Sequence, residues 1–101
     1  MTYLIDIDNT ICQTDGLKYE ESKPYISRIE KINELYDSGN KIVVWTGRGI
    51  SLSPEECLKV RAMTYEQLKS WGLKFHSLIM KPVNFDLVID DKSIDPDSFF
   101  S

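Results

Sequence analysis

Apolar positions along the chain alternate between two rhythms. Residues 3–7 (YLIDI) form a short, mostly apolar run of β-formers, the pattern of a buried central strand. Residues 13–23 are polar, with Asp15-Gly16 as a turn signal, and this predicts a loop or small hairpin flap. Pro24 suits the first turn of a helix whose apolar face is Ile26, Ile29, Ile32, Leu35 and Tyr36. Ser38, Gly39 and Asn40 should stop that helix. Residues 42–45 (IVVW) read as a second buried strand, broken by Thr46-Gly47-Arg48-Gly49. Ser53, Pro54 and Glu56 predict an N-cap, a first-turn proline and a capping-box glutamate. Cys57, Val60, Thr64, Leu68 and Trp71 continue a helical stripe to Gly72. Residues 76–80 (HSLIM) and 86–90 (DLVID) read as two more strands, and the tail as a turn that packs Phe99 and Phe100 back on the domain.

Strand, helix, strand, helix, strand, strand is an α/β order with a mostly parallel, Rossmann-like sheet and flanking helices. Residues 1–101 show no repeat, low-complexity tract or linker, which predicts a single domain. An apolar share of 42 % permits a packed core. The net charge of −4 argues against a nucleic-acid or anionic-membrane binder, so a phosphate-bearing partner would need local positive charge. Cys12 and Cys57 make no CxxC pair and fit a reduced, cytoplasmic setting. No apolar run reaches membrane-spanning length, and Asp6 and Asp8 interrupt the start of the chain where a signal peptide would be apolar.

Charge placement changes the picture most. In parallel α/β sheets, the loops leaving the strand C-terminal ends form the ligand crevice. Asp6 and Asp8 leave the first strand, residues 46–49 the second, Lys81 the third, and Asp90 and Asp91 the fourth. Four carboxylates at one edge call for a cation, and an oxygen-only donor set favours Mg²⁺. Lys81 adds a positive charge, Thr46 a hydroxyl, and the Gly47 and Gly49 turn lets backbone N–H groups approach an anion. Together they suit a phosphate, beside which an aspartate could attack phosphorus.

The segment "DIDNT" resembles the DxDxT first motif of the haloacid-dehalogenase (HAD) superfamily. "VVWTGR" resembles its second motif, Lys81 suits its third, and "LVIDD" resembles its acidic fourth. The resemblance runs from residue 3 to about residue 92, in the superfamily's order. It implies strand order 4-1-2-3, with Asp6 as a nucleophile that becomes an aspartyl-phosphate and Asp8 as general acid, then general base. It also implies Mg²⁺ held by Asp6, the Asp8 carbonyl and Asp90, with Asp91 behind the metal. Thr46 and Lys81 would hold the phosphoryl oxygens, and Thr10 would brace the turn. A narrower similarity, over "IMKPVNFDLVIDDKSIDPDSFF", is to short phosphatase-like members linked to capsule and surface-polysaccharide synthesis.

The implied activity is Mg²⁺-dependent hydrolysis of a small phosphorylated metabolite, such as a sugar phosphate. Only a flap fits between Cys12 and Pro24, so no cap domain is expected. A neighbouring subunit in a homo-oligomer, or a large substrate, would then close the site. Arg48, Asp15, Lys18 and Tyr19 are candidates for the mouth of the crevice, or simply solvated loop residues. His76 is expected to make a structural hydrogen bond. Two alternatives stand beside hydrolysis: phosphoryl transfer to another acceptor, and a non-catalytic phosphate- or metal-binding or phosphoacceptor module. Both acids of DxDxT on one strand favour turnover.

Overall fold

The computed structural model describes Met1–Ser101. β1 (Thr2–Asp6) is followed by a two-residue ribbon, β2 (Cys12–Gln13) and β3 (Lys23–Pro24), then α1 (Ile26–Asp37), β4 (Lys41–Thr46), α2 (Pro54–Ser70), β5 (Ser77–Met80) and α3 (Pro96–Phe100). β1, β4 and β5 form a parallel sheet in that order, with Leu4 opposite Val43 and Val44 opposite Leu78. The fold is α/β, with no further domain inserted between these elements.

Each step along the sheet runs in the same direction, so right-handed crossovers place α1 and α2 on one face. The core agrees: Ile5, Ile42, Val44 and Leu78 from that face pack with Ile29, Ile32 and Leu68 from the helices. The opposite face carries Leu4 and Ile79, 55 % and 48 % exposed.

Cap chemistry sets the helix ends. The Ser53 hydroxyl accepts the Glu56 N–H and donates to Glu56 Oε1, both at 3.2 Å, and Pro54 takes the first helical position. α1 and α2 both end with glycine in the left-handed region, Gly39 at φ 93° and Gly72 at φ 76°. Past each, the next N–H reaches back to a helix carbonyl, Asn40 to Leu35 and Leu73 to Leu68, each at 3.1 Å. His76 Nδ1 accepts the Ile42 N–H at 3.0 Å, a structural bond as expected.

Three expectations need correction. Pro24 does not open α1: it pairs with Cys12 in the ribbon, where its missing N–H costs no ladder bond, and α1 begins at Ile26. The tail is not a plain turn but the short helix α3, capped by Asp95, with Phe99 5.9 Å from Tyr3 between ring centroids. Residues 86–90 form no strand. They lie outside the sheet with Leu87 80 % and Ile89 95 % exposed, so β1 is an edge strand rather than a central one.

Candidate active site

β1 ends at Asp6, and the chain turns at once. Asn9 takes a left-handed φ of 61°, a conformation asparagine tolerates better than most side chains. That turn lets the Asn9 N–H reach the Cys12 carbonyl at 2.8 Å and the Thr10 N–H reach the Ile7 carbonyl at 3.1 Å. It leaves the Asp8 carbonyl without a protein donor and the Asp8 N–H without a protein acceptor.

The two acids of DxDxT each have their own cation. Lys81 Nζ donates to Asp6 Oδ1 at 2.7 Å, and the Thr10 hydroxyl donates to Asp6 Oδ2 at 3.2 Å. Lys81 is brought there because its N–H bonds the Thr46 carbonyl at 2.8 Å, extending the β4–β5 register by one residue. Its ammonium also lies 5.0 Å from the Trp45 ring centroid and 4.8 Å from that of Phe85.

Asp8 faces Arg48 instead. Nη2 donates to Oδ1 at 2.8 Å, and Nε lies 3.0 Å from Oδ2 and 3.2 Å from Oδ1. The Thr14 hydroxyl donates to Oδ1 at 2.6 Å. Arg48 is only 1 % exposed. Its Nη1 reaches Gln67 Oε1 at 2.7 Å and the Thr64 hydroxyl at 3.2 Å, Nη2 reaches the Ser22 hydroxyl at 3.3 Å, and the Tyr19 ring lies 4.9 Å away. Arg48 therefore does not line an open mouth, as the sequence suggested it could, but is the buried counter-ion of Asp8.

The remaining candidates are placed as follows. Thr46 is buried, and its hydroxyl accepts the Arg48 N–H at 3.1 Å, leaving the hydroxyl proton for another acceptor. The Gly47 N–H donates to no protein acceptor, and a Cβ on Gly47 would meet the Lys81 side chain at 3.8 Å. Asp90 and Asp91 lie in the exposed stretch before α3. Asp90 Oδ1 accepts the Lys92 N–H at 2.8 Å. That bond is the main cause holding the Asp90 carboxyl below its ordinary range. Burial, ahead of the nearby Asp8 charge, pushes the Tyr19 phenol up.

The expected convergence of four acids is thus not formed. No three His, Cys, Asp or Glu side chains come together anywhere in the molecule in a way that could hold a metal. At the β1 end the charges are balanced by Lys81 and Arg48, which relieves the repulsion that called for a cation. Two of the three oxygen donors expected for Mg²⁺, the Asp6 carboxylate and the unpartnered Asp8 carbonyl, stand at the same turn. The third, Asp90, does not join them. The donor set fits a hard cation only in part.

Sequence reasoning missed the shell around Arg48: Thr14, Ser22, Thr64 and Gln67. One signal was present, since Thr64 interrupts the apolar stripe of α2 and is fully buried. A buried hydroxyl needs a partner, and here it is the guanidinium. A separate groove of about 430 Å³ is lined by Leu17, Tyr19, Leu52, Val60 and Met63, and not by Asp6, Asp8 or Lys81.

No protein-family model matches the chain, and neither does any curated protein. Solved structures do. A Vibrio cholerae protein superposes with a TM-score of 0.87 at 22% identity, covering 99% of this chain and 87% of that one. D,D-heptose 1.7-bisphosphate phosphatase from B. bronchiseptica, crystallised with magnesium and phosphate, superposes with a TM-score of 0.58 at 16% identity. The match covers 91% of this chain and 53% of the phosphatase, so this chain spans about half its length. At these identities the similarity is one of fold, and the fold of this chain is that of HAD-like proteins.

Proposed function

We propose that this protein is a phosphomonoester hydrolase working through an aspartyl-phosphate on Asp6. One observation carries the reading. The carboxylate ending β1 is held by an ammonium at 2.7 Å and a hydroxyl at 3.2 Å, two residues before a second aspartate fixed in place by a buried guanidinium. The fold shared with a heptose bisphosphate phosphatase supports the same class of chemistry.

In the first step an Asp6 carboxylate oxygen attacks phosphorus, the bond from phosphorus to the leaving oxygen breaks, and that oxygen takes a proton from Asp8. In the second, Asp8 takes a proton from water as the water oxygen attacks phosphorus. The bond from Asp6 to phosphorus then breaks, releasing phosphate and restoring both carboxyl groups. Lys81, once shared with the phosphoryl group, stabilises its oxygens along with the Thr46 hydroxyl and the Gly47 N–H.

Magnesium belongs to the proposal: Asp6 and the Asp8 carbonyl would hold it, Asp90 and Asp91 would join them only once residues 86–91 swing toward the β1 turn, and the ion would supply charge neutralisation on the phosphoryl oxygens. The substrate we propose is a small phosphorylated metabolite, in particular a sugar phosphate of surface-polysaccharide synthesis, handled in the cytoplasm. No helix is long and apolar enough to cross a membrane. A homo-oligomer whose neighbouring subunit walls the crevice is part of the same reading. The Asp6 side chain is 33 % exposed, so the crevice is open on the side such a subunit would cover.

The test is phosphate release from a panel of phosphomonoesters, sugar phosphates included, with Mg²⁺ or with EDTA. Metal-dependent release by the wild type, lost in Asp6→Asn, is the expected result. Equal rates for the two proteins would rule the proposal out. Sedimentation at assay concentration tests the oligomer, which a monomer would exclude.

A further inference from the structure

Arg48 makes more contacts than a counter-ion needs. Five of its hydrogen-bond partners are side-chain oxygens, drawn from the turn after β1, the flap and α2: Asp8 with both oxygens, Ser22, Thr64 and Gln67. The Tyr19 ring covers the guanidinium, and the Gln67 amide in turn donates to the Tyr19 carbonyl at 2.8 Å. A guanidinium bound on so many sides cannot swing, and a carboxylate gripped by its fork is fixed in plane and in rotation.

The grip is uneven. Each carboxylate oxygen has two lone pairs. Oδ1 of Asp8 takes the Thr14 hydroxyl at 2.6 Å, Nη2 at 2.8 Å and a longer approach from Nε at 3.2 Å, with the Cys12 thiol a further 3.9 Å contact. Oδ2 takes only Nε, at 3.0 Å. One oxygen is saturated by protein donors, and the other keeps a lone pair.

We propose that Arg48 is the positioning residue of Asp8: with Thr14 it saturates Oδ1 and leaves Oδ2 as the oxygen that handles the proton in breakdown of the aspartyl-phosphate. This rests on the phosphatase reading above. Arg48 is buried and touches no substrate, so it acts through Asp8 alone. A base held by a rigid fork stays aligned on the attacking water, whereas a loose one samples unproductive rotamers.

The test uses p-nitrophenyl phosphate, whose leaving group departs without a proton donor, so that formation of the intermediate is spared and its breakdown is not. Wild type, Arg48→Gln and Thr64→Val are followed in a rapid-mixing experiment with Mg²⁺. In Arg48→Gln, a nitrophenolate burst stoichiometric with enzyme should precede a steady state at least about tenfold below wild type, with KM unchanged or lower. Thr64→Val removes one distant support of the guanidinium and should keep the burst with about a threefold slower steady state. It carries the test if Arg48→Gln fails to fold. Steady-state rates within twofold of wild type in both variants would overturn the proposal. So would burst and steady state falling together in a variant whose circular dichroism spectrum matches wild type, which marks slower formation of the intermediate rather than a misplaced base. A wild type that turns over nothing overturns the phosphatase reading itself, a result distinct from either.

Discussion

Asp6 and Asp8 lie two residues apart, yet the structure gives them different surroundings. Asp6 meets an ammonium 75 residues away in sequence, and Asp8 a guanidinium 40 away. This division was not legible in the sequence. The sequence puts both acids at the end of one strand, but β1 stops at Asp6, and the turn at Asn9 sends Asp8 elsewhere. The candidate acids themselves were legible, because DxDxT is local, whereas their counter-charges arrive through tertiary contacts that no local pattern records. Asp6→Asn is expected to lower phosphate release by at least about three orders of magnitude with an unchanged circular dichroism spectrum, since the nucleophile is lost from a partly exposed position. Cys12 gives a test independent of activity. Burial is the main cause raising its thiol above the ordinary value, so at pH 8 it holds less thiolate than a free cysteine. Peptide mapping after brief iodoacetamide treatment should therefore find Cys57, which is only partly buried, alkylated well before Cys12. The reverse order would contradict the burial that places Cys12 beneath Asp8.

Among the elements, those with local end signals were read well. Ser53, Pro54 and Glu56 mark the start of α2 within the sequence itself, and the structure uses all three. Removing the cap hydroxyl in Ser53→Ala should cost about 1 kcal/mol of stability, measurable as a shift in the urea midpoint at constant m. Elements that depend on a distant partner were read poorly. The run Leu87, Val88, Ile89 has the composition of a strand, but a strand exists only where another backbone completes its ladder. None does so here: the hydrogen bonds of that region are turn bonds around Asp90, such as the Ser93 N–H to the Asp90 carbonyl at 3.2 Å. Pro24 was misplaced for a related reason. It is equally suited to a helix start and to an edge ribbon, and only its pairing with Cys12 decides between them.

For the whole molecule, stability is expected to be graded. β4 is paired on both sides and supplies Ile42 and Val44 to the core, while residues 82–91 make few backbone bonds and expose most of their apolar side chains. Hydrogen exchange should show β4 amides protected close to the global unfolding limit and those of residues 82–91 exchanging near intrinsic rates. Strong protection across residues 86–90 would mean that this stretch is paired in solution, contrary to the structure. The same geometry bears on the metal. Asp90 sits on the exposed stretch, and Lys81 already satisfies Asp6. Activity lost in EDTA should return with added Mg²⁺; Asp90→Asn should raise the Mg²⁺ concentration needed for half activity by about tenfold where residues 86–91 bring Asp90 to the ion during turnover, and leave it unchanged where they keep the placement described here.

The central claim is that Asp6 carries the phosphoryl group. The most direct measurement is to quench the protein during turnover of p-nitrophenyl phosphate, whose leaving group needs no proton from Asp8, reduce it with borohydride and sequence the peptide spanning residues 1–18 by mass spectrometry. An acyl phosphate on Asp6 would be reduced to homoserine at that position, and Asp8 would be unchanged. That is the result predicted here, with more product in Asp8→Asn, in which breakdown is stalled. Steady turnover with Asp6 unmodified in both proteins would contradict the account and assign the two aspartates to some other chemistry.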